Sequence, residues 1–220
     1  MMKIKNVDLF QNAPKLLSSY FDSTEYPFQV IAQLKDILED IIKKTPDGYT
    51  VYKDGVLIGK NVTIDESATV LPPTVICDGA IIRQGAYIRG ISFIGEGAVV
   101  GHSTEVKGSI LMNEAQAPHF NYVGDSILGN RAHIGAGVIL SNLKADKSTV
   151  IIKGETSLST GMRKLGAILG DGAEVGCNAV LNPGSVIGKG STVYPLVNWR
   201  GVLPEGSIAK SNEAIVKKAE

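Results

Sequence analysis

The sequence predicts an all-β solenoid, a parallel β-helix preceded by an α-helical segment. Three observations carry this. First, an apolar residue recurs every six positions: Ile58, Ile64, Val70, Ile76, Ile82, Ile88, Ile94, Val100, Val106 and Met112. Second, a mostly small residue follows four positions after each, as at Ala68, Thr74, Ala80, Ala86, Ser92, Ala98 and Thr104. Third, glycine makes up 25 of 220 residues and aromatics only 6%, against a usual ~7% for glycine alone. A six-residue period fits neither a helix nor a simple strand, and it is the mark of a solenoid. Three hexads close one triangular coil, so position n lies over n−18. One apolar side chain per hexad points inward, and the small residue fits the tight corner. Glycine serves turns that need unusual backbone angles.

Residues 1–50 read as the helical segment. Val30, Ile31, Leu34, Ile37, Leu38, Ile41 and Ile42 recur at helical spacing. Pro27 stands at the start, Lys43 and Lys44 fall in the last turn, and Pro46-Asp47-Gly48 is a stop signal. A shorter helix is expected over residues 14–21, and the segment suits a cap or a subunit interface. Residues 51–210 read as the solenoid. Its hexads slip after Pro118, resume at Leu128, Ile134 and Leu140, and return at Leu169, Val175, Leu181, Ile187 and Val193. Between these runs lies an insertion, residues 143–166, expected to project as an arm toward a neighbouring subunit with a short strand at residues 149–153. A long loop inside a compact domain is usually functional or disordered. Residues 211–220 read as a C-terminal tail.

Composition bounds the function. Twenty-two Lys and Arg balance 22 Asp and Glu, so broad nucleic-acid binding is disfavoured, although a local basic site is not. Cys77 and Cys177, a hundred positions apart, form no disulfide framework and no metal-ligand spacing. The N-terminus lacks the apolar run of a signal peptide. No stretch approaches the ~18 apolar residues of a membrane span. A cytoplasmic location without membrane attachment is expected.

Stacking brings out one cationic pair. Arg89 and Lys107 are eighteen residues apart, so their side chains leave the same face one strand spacing apart, ~4.8 Å. A guanidinium fork beside an ammonium suits a phosphate. Two solvated cations near Glu105 remain the alternative. Histidine is scarce: His102, His119 and His133. His119 sits in Ala-Pro-His-Phe-Asn-Tyr-Val-Gly-Asp, where the hexad phase slips, and a neutral imidazole there can take a proton near pH 7. The histidine spacings of 17 and 14 lack the close pair with which the γ-type carbonic anhydrases hold zinc on this kind of prism. No metal is expected. Gly135-Ala136-Gly137 offers backbone N–H groups for a carbonyl or oxyanion.

From Arg89 to about Asn142 the chain resembles the acetyltransferase domain of the bifunctional enzyme that makes UDP-N-acetylglucosamine. It resembles still more the sugar-1-phosphate nucleotidylyltransferase/acetyltransferases, through Pro-His-Phe-Asn-Tyr-Val-Gly-Asp-Ser-Ile-Leu-Gly and the run from Arg163 to Asp171. The likeness covers roughly residues 58–210. It implies a left-handed β-helix, acetyl-CoA as cosubstrate, an amino-sugar 1-phosphate acceptor and a homotrimer with sites between subunits. It implies His119 as general base. Arg89, Glu105, Lys107, Tyr122, His133 and Asn142 fall on the substrate side. Ala136, Cys177, Ser191 and Lys210 fall on the cofactor side. His133 stands where the bifunctional enzyme has asparagine, and Asn142-Leu143-Lys144-Ala145 replaces its Asn-Tyr-Asp-Gly. The uridylyltransferase domain has no counterpart in this sequence. Two other readings stay open: an acyltransferase with a different acceptor, and a non-catalytic solenoid partnering a separate nucleotidylyltransferase.

Overall fold

Apolar residues six apart become the lining of a three-sided prism because each side of the coil is one short strand and one turn. The computed structural model describes residues 3–218. Three parallel sheets form the sides, here faces A, B and C. Face A runs from Val56–Ile58 through Ser92–Ile94 to Val202–Leu203, face B from Thr63–Ile64 to Ser207–Ala209, and face C from Thr69–Val70 to Asn198–Trp199. The fold is a left-handed parallel β-helix. Antiparallel strands finish two of the faces, Thr50–Lys53 on face A and Ile215–Lys217 on face B. The tail residues 215–217 are therefore part of a sheet, and both strands cover edges that would otherwise offer unpaired backbone groups.

The inward column contains Ile76, Ile82, Ile88, Ile94, Val100 and Val106, then Val123, Leu128, Ile134 and Leu140, all inaccessible to solvent. The coil period changes earlier than the hexads suggest. Ile76 pairs with Ile94, eighteen residues on, but Ile94 pairs with Leu111, seventeen on. One residue is missing from the side spanning 107–111. Leu111 therefore points inward, and Met112, expected there, lies in the layer outside face A. A second five-residue side, from Val123 to Leu128, keeps the offset at seventeen up to His133 and Leu140. Trp199 ends the interior column of face C, with its indole N–H donated to the Gly201 carbonyl at 3.1 Å.

Helices α1 (Asn6–Leu9), α2 (Ser18–Asp22) and α3 (Pro27–Lys44) precede the prism. The shorter expected helix thus starts later, after a turn at Pro14. In α3, Pro27 occupies the first turn, where its missing N–H costs nothing. Gln29 accepts the Tyr26 N–H at 2.8 Å. Lys43 and Lys44 lie at the negative end of the helix dipole. The apolar side of α3 is buried on the outer surface of its own face A, not held free for another subunit. Phe28, Ile31, Leu34, Leu38 and Ile41 join one core with Leu57, Val75, Phe93, Ile110, Ile127, Ile168 and Val186.

The insertion folds back instead of projecting. Its strands Ile151–Lys153 and Ser157–Ser159 form an antiparallel hairpin. Val150, Ile152 and Leu165 are buried in the same layer as α3. Face A thus carries a second core, and Phe93 at its centre is fully buried. Replacing Phe93 with alanine is expected to cost about 3–5 kcal/mol, read as a lower midpoint in urea unfolding. A variant unfolding at the wild-type midpoint would show that this layer adds little.

Candidate active site

The edge between faces B and C collects the histidine motif and the Gly-Ala-Gly run. Strand Gln116–His119 ends face B, and Tyr122–Gly124 opens the next strand of face C. Between them Phe120 takes a left-handed backbone, φ 52°, which turns the chain through the corner. His119 lies in register with His102 below it. Its carbonyl accepts the Gly137 N–H from above at 3.0 Å. The same edge continues upward: Asn178 donates to the Ala136 carbonyl, and Leu196 to that of Cys177. His119, Ala136 and Cys177 therefore stand in one column, each about one strand spacing, ~4.8 Å, from the next. Lys210 follows the face B strand that pairs beside Thr192–Val193, at the same edge.

Within this column the available hydrogen-bonding groups are few. The Gly135 and Gly137 N–H groups are spent on the coil ladder, donated to Val175 and His119. The Ala136 N–H has no partner among the described residues, so the three-residue run offers one donor. The His119 imidazole is exposed. His102 holds the Gln84 carbonyl at 3.0 Å through Nδ1 and meets the Phe120 ring edge-on at 5.1 Å.

Asn121, which motif reading passed over, holds this corner together. It is buried at the small position, four residues after inward Ala117. Its Oδ1 accepts the His119 N–H at 3.0 Å, and its Nδ2 donates to the Gly135 carbonyl at 2.7 Å. Thr104 accepts the Asn121 N–H from one coil below. The signal for it was an asparagine where the repeat otherwise places alanine, serine, threonine or valine.

Face C carries the charged residues. Tyr87, Glu105 and Tyr122 are side by side in the ladder. Arg89 donates to Glu105 at 2.7 Å, and this hydrogen bond raises the guanidinium pKa. Lys107 donates to both oxygens of Asp125, at 3.1 and 3.2 Å. Asn142 completes the cluster, donating to Asp125 and, at 3.2 Å, to the Tyr122 hydroxyl. The stacking of Arg89 over Lys107 is thus real, but each cation has its own carboxylate. Asp125 was also passed over, although a further step of eighteen from Lys107 lands on it. Crossing face C from the His119 corner to this cluster takes about 10 Å.

Two sequence-named residues stand elsewhere. Ser191 lies at the edge between faces A and B, fully buried, with its hydroxyl donated to the Pro204 carbonyl and accepting the Ser207 N–H. It is not brought to the column of Ala136 and Cys177. His133 faces outward on face B, its Nδ1 2.9 Å from Glu174, one coil above Gln116.

Among the described residues no group of three or more His, Cys, Asp or Glu is placed to hold a metal ion, and no helix is long and apolar enough to cross a membrane. Residues 70–164 match the model of the GMPPB C-terminal domain family. An uncharacterized acetyltransferase of Escherichia coli, YaiX, is 31% identical over 176 residues, covering 73% of this chain and 76% of that protein.

The chain belongs to the hexapeptide-repeat acetyltransferases.

Other members of the family include the bifunctional protein GlmU of Methanococcus vannielii, 32% identical over 210 residues, 92% of this chain and 50% of that protein. The bifunctional sugar-1-phosphate nucleotidylyltransferase/acetyltransferase of Sulfurisphaera tokodaii is 33% identical over 177 residues, 77% of this chain and 43% of that one. The chain spans about half the length of these bifunctional relatives.

Three predictions follow from this corner and from the two cysteines of the chain. Asn121→Ala strips the partner from a buried carbonyl and is expected to cost about 1–3 kcal/mol in urea unfolding; Ala136→Ser, half-buried on the turn one coil above, is expected to stay near wild type. Cys177 is exposed, whereas burial pushes the Cys77 thiol up to about 12 from 9.0. A thiol reagent is expected to modify Cys177 in the native protein and Cys77 only after unfolding. Because the folded state keeps the Cys77 proton to higher pH, that contribution to stability is complete below pH 9 and is lost as pH rises toward 12. Cys77→Ala is expected to flatten this alkaline decline in thermal midpoint.

Proposed function

We propose that this chain transfers the acetyl group of acetyl-CoA to the amine of an amino-sugar 1-phosphate, with glucosamine 1-phosphate as the acceptor. The observation that carries this reading is the single column of His119, Ala136 and Cys177 beside the polar cluster of face C. Acetyl-CoA lies along the column, its thioester carbonyl near the Ala136 N–H. The sugar sits across face C, oriented by Tyr122, Glu105 and Asn142, with its phosphate toward Arg89 and Lys107.

The acceptor nitrogen attacks the thioester carbon, forming a C–N bond. His119 takes the proton that the nitrogen loses. The Ala136 N–H stabilises the oxyanion of the tetrahedral intermediate. Collapse breaks the C–S bond, and the proton passes to the CoA sulfur. The product is an N-acetylated sugar 1-phosphate, the kind of compound a nucleotidylyltransferase consumes, so a separate nucleotidylyltransferase is the proposed partner. We place the protein in the cytoplasm as a homotrimer, with Phe120, Tyr194 and Leu196, exposed at the same edge, covered by a second copy.

Thiol release from acetyl-CoA, measured with a panel of amino-sugar phosphates, tests this. Glucosamine 1-phosphate is expected to support release. His119→Ala is expected to lower kcat by about 10²–10⁴-fold with the KM for acetyl-CoA unchanged. Acetyl-CoA is also expected to slow alkylation of Cys177. No release with any member of the panel, or full rate in the His119 variant, would overturn the mechanism. Light scattering that returns a monomer would remove the shared site.

A further inference from the structure

The charge balance of face C leaves a phosphate without enough cations. Arg89 with Glu105 and Lys107 with Asp125 are two matched pairs, so the cluster is internally neutral. Uncompensated positive charge lies immediately beside it. A cavity of about 640 Å³ opens between α3 and the neck of the insertion, with Asp125 forming one of its walls. Lys35, Lys147, Arg163 and Lys164 line the rest of its charged surface. They come from three places in the sequence. Lys35 is on α3, and the neck brings the other three together: Leu143 and Lys164 form an antiparallel bridge, and Arg163 donates to the Lys147 carbonyl at 3.3 Å. Among these cations, Lys35 has a carboxylate neighbour, Glu39, at 3.7 Å on an exposed helix surface; no ion pair of Lys147, Arg163 or Lys164 occurs among the described residues.

We propose that this cavity is a binding site for the phosphate or diphosphate group of a ligand. Four cations gathered in a chain of zero net charge repel one another, and an anion in their midst turns that repulsion into attraction. Arg163 supplies a planar fork and the lysines mobile point charges, the mixture that phosphate oxygens take up well. The volume is in the range of small-molecule sites. Ile91, a β-branched residue at φ 49°, lies in the floor, a backbone conformation that surrounding structure must hold in place. Asp125 belongs both to the cavity wall and to the cluster of Lys107 and Asn142, so an acceptor's own phosphate and a free phosphate compound are the two sources to distinguish. The site itself stands on this geometry; only the source of the phosphate rests on the acetyl-transfer reading.

Calorimetry with inorganic pyrophosphate at low salt tests the site. Wild type is expected to bind it. Arg163→Ala/Lys164→Ala is expected to weaken binding about tenfold or more, and Lys35→Ala to weaken it less, in the same direction. Lys43→Ala, the same charge loss on the exposed end of α3, is expected to bind as wild type. If the double variant fails to fold, Lys35→Ala against Lys43→Ala carries the comparison. Wild type that does not bind, or a double variant and Lys35→Ala that bind unchanged, would overturn the proposal. Thiol-release kinetics identify the source. A raised KM for glucosamine 1-phosphate, with that for unphosphorylated glucosamine and for acetyl-CoA unchanged, assigns the site to the acceptor. Unchanged KM values with pyrophosphate binding lost assign it to a free phosphate compound. If wild type transfers no acetyl group, the proposed reaction falls and the calorimetric result still decides the site.

Discussion

A prism side shortened by one residue, used twice in succession, sets the register around the histidine motif. The five-residue steps from Val106 to Leu111 and from Val123 to Leu128 hold the coil period at seventeen instead of eighteen up to the insertion. The pairings of the histidine motif at the B–C edge carry that change, and after the insertion the period returns to eighteen. His119 falls beside His102 and Tyr122 beside Glu105. Asn121 falls within reach of Thr104 one coil below and Gly135 one coil above. In a strict eighteen-residue coil each of these would meet a neighbour one position away, and side chains in strands alternate direction at each position. Alignment of the histidine motif with the charged residues of face C is a consequence of coil length before it is a matter of side-chain chemistry.

Given that register, the distribution of charge follows a simple division. Residues on face C pair locally, and each pairing holds a long side chain in a defined direction. Such half-exposed pairs add little stability. Their value lies in orientation, since Asp125 fixes Lys107 and Asn142 at once, and Asn142 reaches Tyr122. The cations around the neighbouring cavity belong to the insertion and α3. Paired and gathered charges are therefore supplied by different parts of the chain, and a net charge of zero conceals both.

Much of this was legible in the sequence, for reasons that particular residues make plain. The inward column shows because burial tolerates only apolar side chains there, and α3 shows because one of its sides is buried as well. Arg89 over Lys107 followed from the coil period alone. The covering of face A was also written in the chain: Leu57, Val75 and Phe93 stand eighteen apart, each just before an inward residue, and call for an apolar cover. Met112 was misplaced because a five-residue side looks like a six-residue one until its pairing partner is known. Asn121 and Asp125 escaped because their roles are contacts with other coils, one to a carbonyl and one to a cation. Ser191 has the right chemistry for a cofactor contact, but its edge of the prism turns its hydroxyl to the backbone.

The insertion ties these layers together. It leaves the prism just after Asn142 and re-enters it at Gly166, so its neck spans the residues that hold Asp125. The Leu165 N–H is donated to the Asn142 carbonyl at 3.0 Å, and the Gly166 N–H to the Asp125 carbonyl at 2.8 Å. Ser126, next in sequence, accepts the Ala167 N–H. Beyond the neck, Val150 and Ile152 are buried against face A with α3. The apolar part of the insertion thus anchors it by burial, and the backbone of its return strand anchors the polar cluster. A loop held only at its ends would leave Lys147, Arg163 and Lys164 free to separate under their own repulsion. Anchored at both the hairpin and the neck, they stay gathered beside Asp125, which is the condition for a preorganised anion site.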